Sequence, residues 1–155
     1  MKTIHLTGGD YMANIISVKI SEKKGIVKHQ VDKGYFKVNL GLVGDFHAGK
    51  GDRQVSLLGI ESINKIKKSG IEGLCTSKFA ENLTVDGISL YEFPAGTILR
   101  IGDAILKITH VGKECYSECK IHNLSAECIL QKEVVFAIVL KDGWIKPGDK
   151  ITVER

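Results

Sequence analysis

Thr97-Ile98-Leu99-Arg100-Ile101-Gly102-Asp103-Ala104-Ile105-Leu106-Lys107-Ile108-Thr109-His110 is the stretch on which the fold turns. Apolar and polar residues alternate on both sides of Gly102-Asp103. That pattern predicts two strands, Thr97–Ile101 and Ile105–His110, joined by a tight turn of the kind glycine and aspartate favour. The same arrangement returns at Pro147-Gly148-Asp149-Lys150-Ile151, where a Gly-Asp turn feeds a strand over Lys150–Val153. Working outward, further strands are predicted at Val134–Leu140, Asn82–Val85 and Tyr35–Val38, and where Ile16, Val18 and Ile20 alternate, while Val55 to Leu58 reads as an apolar run. One segment, Leu58–Ser69, has a helical period. It sets Ile60, Ile63 and Ile66 on one side, spaces Glu61 and Lys65 four apart, and ends at Gly70, a suitable cap. Many short strands and few helices predict a mainly β fold: a closed β-barrel of about six to eight strands with a few short helices, since closure removes exposed strand edges.

The chain has 155 residues, enough for one domain with a buried core. Its 43% hydrophobic and 26% charged content is that of an ordinary globular protein. No apolar run approaches the roughly 20 residues a membrane helix needs. The net charge of +4 comes without an arginine cluster or an aromatic RNA-binding motif, which argues against nucleic acid as a partner. A small positive field does favour an anionic ligand. Residues 1–12 read as a leader or appended segment, because Met12-Ala13-Asn14 can act as a second start and the alternation begins just after it. Residues 13–155 then form a single domain. No secretion signal is seen, so the expected location is cytoplasmic and the four cysteines are expected to be reduced.

Three constellations carry chemistry. The first is Gly44-Asp45-Phe46-His47-Ala48-Gly49 followed by Asp52-Arg53-Gln54-Val55-Ser56. Loops on a rigid scaffold concentrate function, and Arg53 offers two parallel donors that match a phosphate, while His47 can exchange protons with a bound oxygen. The alternative is an ordinary polar loop in which Asp45 satisfies turn amides and Arg53 pairs with Asp52 or Asp45. The second is Phe79-Ala80-Glu81-Asn82-Leu83, where Glu81 and Asn82 have the donors and acceptors to read a heterocycle or, equally, to make turn bonds before a strand. The third is Gly112-Lys113-Glu114-Cys115-Tyr116-Ser117-Glu118-Cys119-Lys120-Ile121-His122. A thiol acts as nucleophile or metal ligand only as thiolate, and Lys113 and Lys120 would lower its pKa. Cys115, Cys119, His122 and Cys128 have the ligand types for zinc, but Cys-x3-Cys is not a common zinc spacing. Cys75 and Cys128 read as buried, reduced packing residues. No Gly-x-Ser-x-Gly occurs, and a Cys–His pair of Cys119 with His122 or His110 stays open.

In their order these blocks resemble the MOSC family, named for the C-terminal domain of molybdenum cofactor sulfurase. The residues that carry the resemblance are Gly44 to Gly49, Arg53 to Leu58 with Glu61-Ser62, Cys75-Thr76 through Leu83, Gly87-Ile88, Gly102-Asp103, Gly112 to Cys119, Cys128-Ile129-Leu130, Phe136-Ala137 and Gly143 to Asp149. They span roughly Asn14 to Val153. One departure is Val134-Val135, where the family often has glycine.

The resemblance implies a closed, mostly antiparallel β-barrel that binds the molybdenum cofactor. It implies that Cys119 is the family's characteristic cysteine and a thiolate ligand to molybdenum. It assigns phosphate neutralisation to Arg53, Lys78 and Lys113, proton delivery to His47, and pterin recognition to Glu81 and Asn82, with Asp45, Gln54 and Ser56 also at the cofactor. Two functions follow. In one, the protein supports oxygen-atom removal from N-hydroxylated substrates, with electrons from a partner reductase. In the other, it is a sulfur carrier that takes a persulfide on Cys119 from a desulfurase, with pyridoxal phosphate only on that partner. Amidoxime-reducing relatives carry a further N-terminal β region that this chain has no room for. The Gly44–Arg53 loop, Glu81-Asn82 and Cys119 are expected to converge on one cleft.

Overall fold

The computed structural model describes residues 13–23, 28–46, 48, 49, 51–69, 81–112 and 129–154. The chain runs β1 (Asn14–Ile20), β2 (His29–Val31), β3 (Gly34–Lys37), β4 (Gly41–Leu42), β5 (Val55–Gly59), α1 (Ile60–Ser69) and β6 (Leu83–Asp86). A 3-10 turn (Leu90–Glu92) then leads to β7 (Ile98–Ile101), β8 (Ala104–Val111), α2 (Ile129–Glu133), β9 (Val135–Lys141), β10 (Gly143–Ile145) and β11 (Ile151–Glu154).

The opening stretch folds as read. β7 and β8 pair antiparallel with Ile101 opposite Ala104, and Gly102 takes the positive φ of 57° that the turn needs. Along β8, Ala104, Leu106 and Ile108 are buried while the residues between them are half-exposed. β9 lies antiparallel to β8 on one side and to β5 on the other. The core is continuous from Ile15 and Val18 through Leu57, Leu83, Leu99, Leu106 and Val135 to Ile151 and Val153.

The strands do not close into a barrel, which corrects the expectation from the sequence. Eight form an open sheet in the order β11-β7-β8-β9-β5-β6-β1-β2, and three form a second sheet in the order β10-β3-β4. β1 and β11 meet at one isolated bridge, Asn14 to Lys150, flanked by hydrogen bonds from Ile15 N to Asp149 O and from Gly148 N to Ile15 O, both at 2.8 Å, and from Ile151 N to Ala13 O at 3.0 Å. Two features stop the ladder from closing there. β2 takes the flank of β1 that faces away from β6. A register shift between Ile15 and Ser17 bends β1 near the bridge. Beyond β9 the chain turns away at Gly143, where a Cβ would lie 2.4 Å from the Asp103 carbonyl carbon, and β10 joins β3 instead. The inner face of the small sheet, Phe36, Leu42 and Ile145, still packs into the common core. On its outer face Tyr35 packs edge-on to Trp144 at 5.1 Å.

One pair, β5 with β6, is parallel. A parallel pair needs a crossover, and α1 lies within the connection between the two strands. α1 starts at Ile60 and not Leu58 because Leu58 and Gly59 complete β5. Its Gly70 cap lies outside the described residues. Lys65 pairs with Glu133 of α2 at 2.8 Å, a partner no helical spacing could indicate.

Candidate functional site

Asp45, Ser56 and Asn82 come from three separate segments and meet in one buried network. Asn82 Nδ2 donates to Asp45 Oδ2 at 3.2 Å and to the Lys19 carbonyl at 3.3 Å. Asn82 Oδ1 accepts from Ser56 N at 3.0 Å and from Ser56 Oγ at 3.2 Å, and Asn82 N donates back to Ser56 Oγ at 3.0 Å. Asp45 Oδ1 accepts from Ser21 N and from Lys28 Nζ, both at 2.8 Å. The Asp45 side chain is 0% exposed and that of Lys28 is 7% exposed, so this is a buried ion pair. Buried charge is tolerated only with such pairing and hydrogen bonding.

Glu81, beside Asn82, bonds to Lys19 Nζ at 3.0 Å and accepts a hydrogen bond from Thr84 Oγ1. Ser17 Oγ donates to Thr84 Oγ1 at 2.7 Å. Sequence reasoning missed Lys19, Ser21, Lys28 and Thr84. The available signal was the run Ser17, Lys19, Ser21, three polar residues at period two. The sequence reading placed Ile16, Val18 and Ile20 inward. The shift between Ile15 and Ser17 instead leaves Ile16 at 41% exposure and buries Ile15, Ser17 and Val18.

Gln54 is buried and spans β9 and its own loop, accepting from Val139 N at 3.0 Å and donating to Gly51 O at 3.1 Å. Gly41 allows this approach: it has φ of 104°, and a Cβ there would lie 2.5 Å from the Gln54 carbonyl oxygen. Arg53 is exposed, with its guanidinium carbon 5.1 Å from the Phe136 ring centroid. A Cβ at Gly49 or Gly51 would meet no atom within 4 Å. Next to Arg53, Asp52 Oδ2 stands 3.6 Å from His110 Nε2, and Thr109 Oγ1 donates to the Asp52 carbonyl.

The structure therefore joins Asp45, Ser56 and Asn82, with Glu81 alongside, and sets Gln54 and Arg53 on the loop that leads into β5. His47, Lys78, Lys113 and Cys119 lie outside the described residues, as do Cys75, Cys115, His122 and Cys128. Among the described residues no three His, Cys, Asp or Glu side chains form a metal-binding group, and no helix is long and apolar enough to cross a membrane.

A separate cleft lies between α1, the Val85–Tyr91 segment and Glu133, and none of the described sequence-predicted site residues, Asp45, Arg53, Gln54, Ser56, Glu81 and Asn82, lines it. On its wall Ser62 Oγ donates to Glu133 Oε1 at 2.6 Å, and Lys65 Nζ reaches both Glu133 oxygens at 2.8 and 3.1 Å. The hydrogen bond to Glu133 raises the Lys65 pKa above the ordinary lysine value, against a smaller opposing effect of burial.

A mainly β domain with one parallel crossover and a buried Asp–Ser–Asn network at its loop ends defines the class. The MOSC domain model matches residues 43–152, and the chain belongs to that family. In fold it is similar to the YuaD protein of Bacillus subtilis, with TM-score 0.69 and 22% identity over 91% of this chain and 94% of that one. It is also similar to YiiM of Geobacillus stearothermophilus, with TM-score 0.65 and 19% identity over 92% and 75% of the two chains. For YiiM of Escherichia coli the values are 0.59, 20%, 92% and 68%. No curated protein sequence matches the chain. The family is generally associated with the molybdenum cofactor.

Proposed function

We propose that this protein binds the molybdenum cofactor and contributes the Cys119 thiolate to it. The observation that carries the reading is the Asp45–Ser56–Asn82 network. Three segments distant in sequence are locked together by buried polar groups. That frame ties together the segments that flank the 46–55 loop and the end of the connection leading to β6. Preorganisation of this kind is what a binding constellation requires.

The donor set fits the cofactor at its edge. Asp45, Ser56 and Asn82 already bond to one another and to neighbouring protein groups, so their role is to hold the loops. Arg53, just before β5, carries the planar paired donors whose geometry matches a phosphate. Lys78 and Lys113 add positive charge, His47 exchanges a proton with a bound oxygen, and Cys119 supplies the thiolate. When bound, the cofactor provides two-electron chemistry at its metal. The reaction class in view is oxygen-atom removal from an N-hydroxylated substrate, with a separate reductase as electron donor.

Protein purified without air from molybdenum-fed cells tests this. Wild type and Cys115→Ser should carry molybdenum, and Cys119→Ser should not. A persulfide on Cys119 with no metal would favour the sulfur-carrier function instead. Wild type with neither metal nor persulfide would overturn both.

A further inference from the structure

We propose that Ser62 is a nucleophile for acyl transfer, with Glu133 as its general base, acting on small esters in the cleft between α1 and the Val85–Tyr91 segment. This activity is separate from the cofactor reading and uses none of its residues. The first observation is the pair itself. Ser62 Oγ donates to Glu133 Oε1 at 2.6 Å, a short charge-assisted hydrogen bond that draws the hydroxyl proton toward the carboxylate. A serine becomes a nucleophile when a base stands within such reach and a third group orients that base. Lys65 is the third group. Its Nζ lies 3.1 and 2.8 Å from the two Glu133 oxygens and 5.7 Å from the centre of the Tyr91 ring. The hydrogen bond to Glu133 raises the Lys65 pKa, so at neutral pH this residue is an ammonium that holds the carboxylate in place and is not itself the base. Ser62 and Lys65 stand about one turn apart on α1, the Ser-x-x-Lys spacing that a class of acyl-transfer enzymes uses.

The second observation is the place. β5, α1 and β6 form one parallel crossover, and the cleft lies where Gly59 ends β5 and Asp86 ends β6. In open α/β sheets, ligands bind outside the carboxyl ends of the parallel strands. Ile60, Glu61 and Ser62, the first turn of α1, also line the cleft. First-turn N–H groups have no acceptor inside their helix, and a developing oxyanion needs such donors. Ser62 is 2% exposed, so only a group inside the cleft reaches its hydroxyl. Room for one exists, because a Cβ built on Gly59 would meet Ser62 Oγ first, at 3.8 Å. The enclosed space is about 20 Å³, which admits a carbonyl group and leaves the rest of the substrate in the open mouth. Among the described lining residues Glu61, Asp86 and Glu133 outnumber Lys65, so the substrate is a neutral or cationic ester.

In the proposed reaction Ser62 Oγ bonds to the ester carbonyl carbon while its proton passes to Glu133 Oε1. The bond to the alcohol oxygen breaks, the alcohol leaves with that proton, and the acyl group stays on Ser62. Water then gives a proton to Glu133 and its oxygen bonds to the acyl carbon. The acid leaves, and the proton returns to Ser62 Oγ. Ester and water become acid and alcohol, with no change in oxidation state.

The test incubates intact protein with p-nitrophenyl acetate, quenches in acid and maps acetylated residues by peptide mass, with nitrophenol release followed in parallel. Wild type should carry acetyl on Ser62 and release nitrophenol over repeated turnovers. Glu133→Gln should slow acetylation of Ser62 by about 100-fold. Gly59→Ala should slow it by about tenfold or more, because the methyl group takes up room beside Ser62 Oγ. The φ of Gly59 lies outside the left-handed region and the new Cβ makes only ordinary contacts, so Tm should hold in this variant. Should Glu133→Gln melt early, Gly59→Ala alone decides. Wild type acetylated only on lysines and cysteines overturns the proposal, as does Ser62 acetylated equally fast in a folded Glu133→Gln. A Ser62 rate unchanged by Gly59→Ala sets the reaction outside the cleft and overturns it too.

Discussion

Asp45→Asn isolates the charge in the buried network while keeping the side-chain shape. Asp45 is fully buried, and Lys28 beside it is 7% exposed at 2.8 Å. The variant takes this carboxylate from a nearly buried ammonium, and removing one partner of a buried pair costs about 3–5 kcal/mol. Total stability of a domain is about 5–15 kcal/mol, so the loss is a large share of it. At about 2–4 °C per kcal/mol for a chain of this size, Tm should fall by roughly 6–20 °C. Lys28→Met should cost a similar amount, because it leaves the Asp45 carboxylate buried. The double variant removes both charges, so its loss should fall short of the sum of the singles by about 2 kcal/mol or more. Guanidinium denaturation followed by far-ultraviolet circular dichroism reads all three. Tryptophan fluorescence is the poorer probe because Trp144 sits on the small sheet. An Asp45→Asn variant within 1 kcal/mol of wild type, or strict additivity in the cycle, would refute the reasoning.

Glu133→Gln removes the acceptor that raises the Lys65 pKa. A raised lysine pKa stabilises the fold at all pH values below the ordinary lysine range and the effect is lost as pH climbs through the raised value. Thermal melts of wild type should therefore weaken in strongly alkaline buffer, and the variant should lose that dependence, with a neutral-pH cost under about 1 kcal/mol because Lys65 is half-exposed. Gly143→Ala should destabilise by about 1–3 kcal/mol in urea titration, since its Cβ would press on the Asp103 backbone. Arg53→Ala should leave Tm nearly unchanged, costing about 0.5–1 kcal/mol for the exposed contact with Phe136, while weakening binding of the cofactor. Unchanged cofactor content in that variant would remove Arg53 from the proposed site.

Much of the fold was legible where period two was strict. β7, β8, β9 and β11 fall within a residue of the predicted spans because a slip of one would turn every apolar side chain outward. β2, β4 and β10, of three, two and three residues, are too short to show a period. Barrel closure was illegible for another reason: it depends on a single strand contact, between β1 and β11, whose extent no local pattern encodes. Within the site, Asp45 stood out in a glycine-rich polar loop, Glu81 and Asn82 before a predicted strand, and Ser56 through the family resemblance. Lys19 and Lys28 did not, because a lysine in sequence looks like surface until its partner is known, and Asp45 is 17 residues from Lys28. Glu133 escaped for the same reason, lying 68 residues from Lys65.

The place of β1 in the sheet has a consequence for how the molecule comes into being. β1 is the first described strand to be synthesised, yet its neighbour β6 begins at Leu83, and its bridge to the last strand waits for Lys150. At about 5–20 residues per second, the nascent chain carries Ile15 and Val18 without their sheet partner for several seconds. The short hairpin with β2 covers one flank meanwhile. The other flank, destined for β6, is an open edge during that interval. Assembly of the Asp45–Ser56–Asn82 network is likewise postponed until Asn82 has been made, so the frame of the site is a late product of synthesis and not a local nucleus around which the rest condenses.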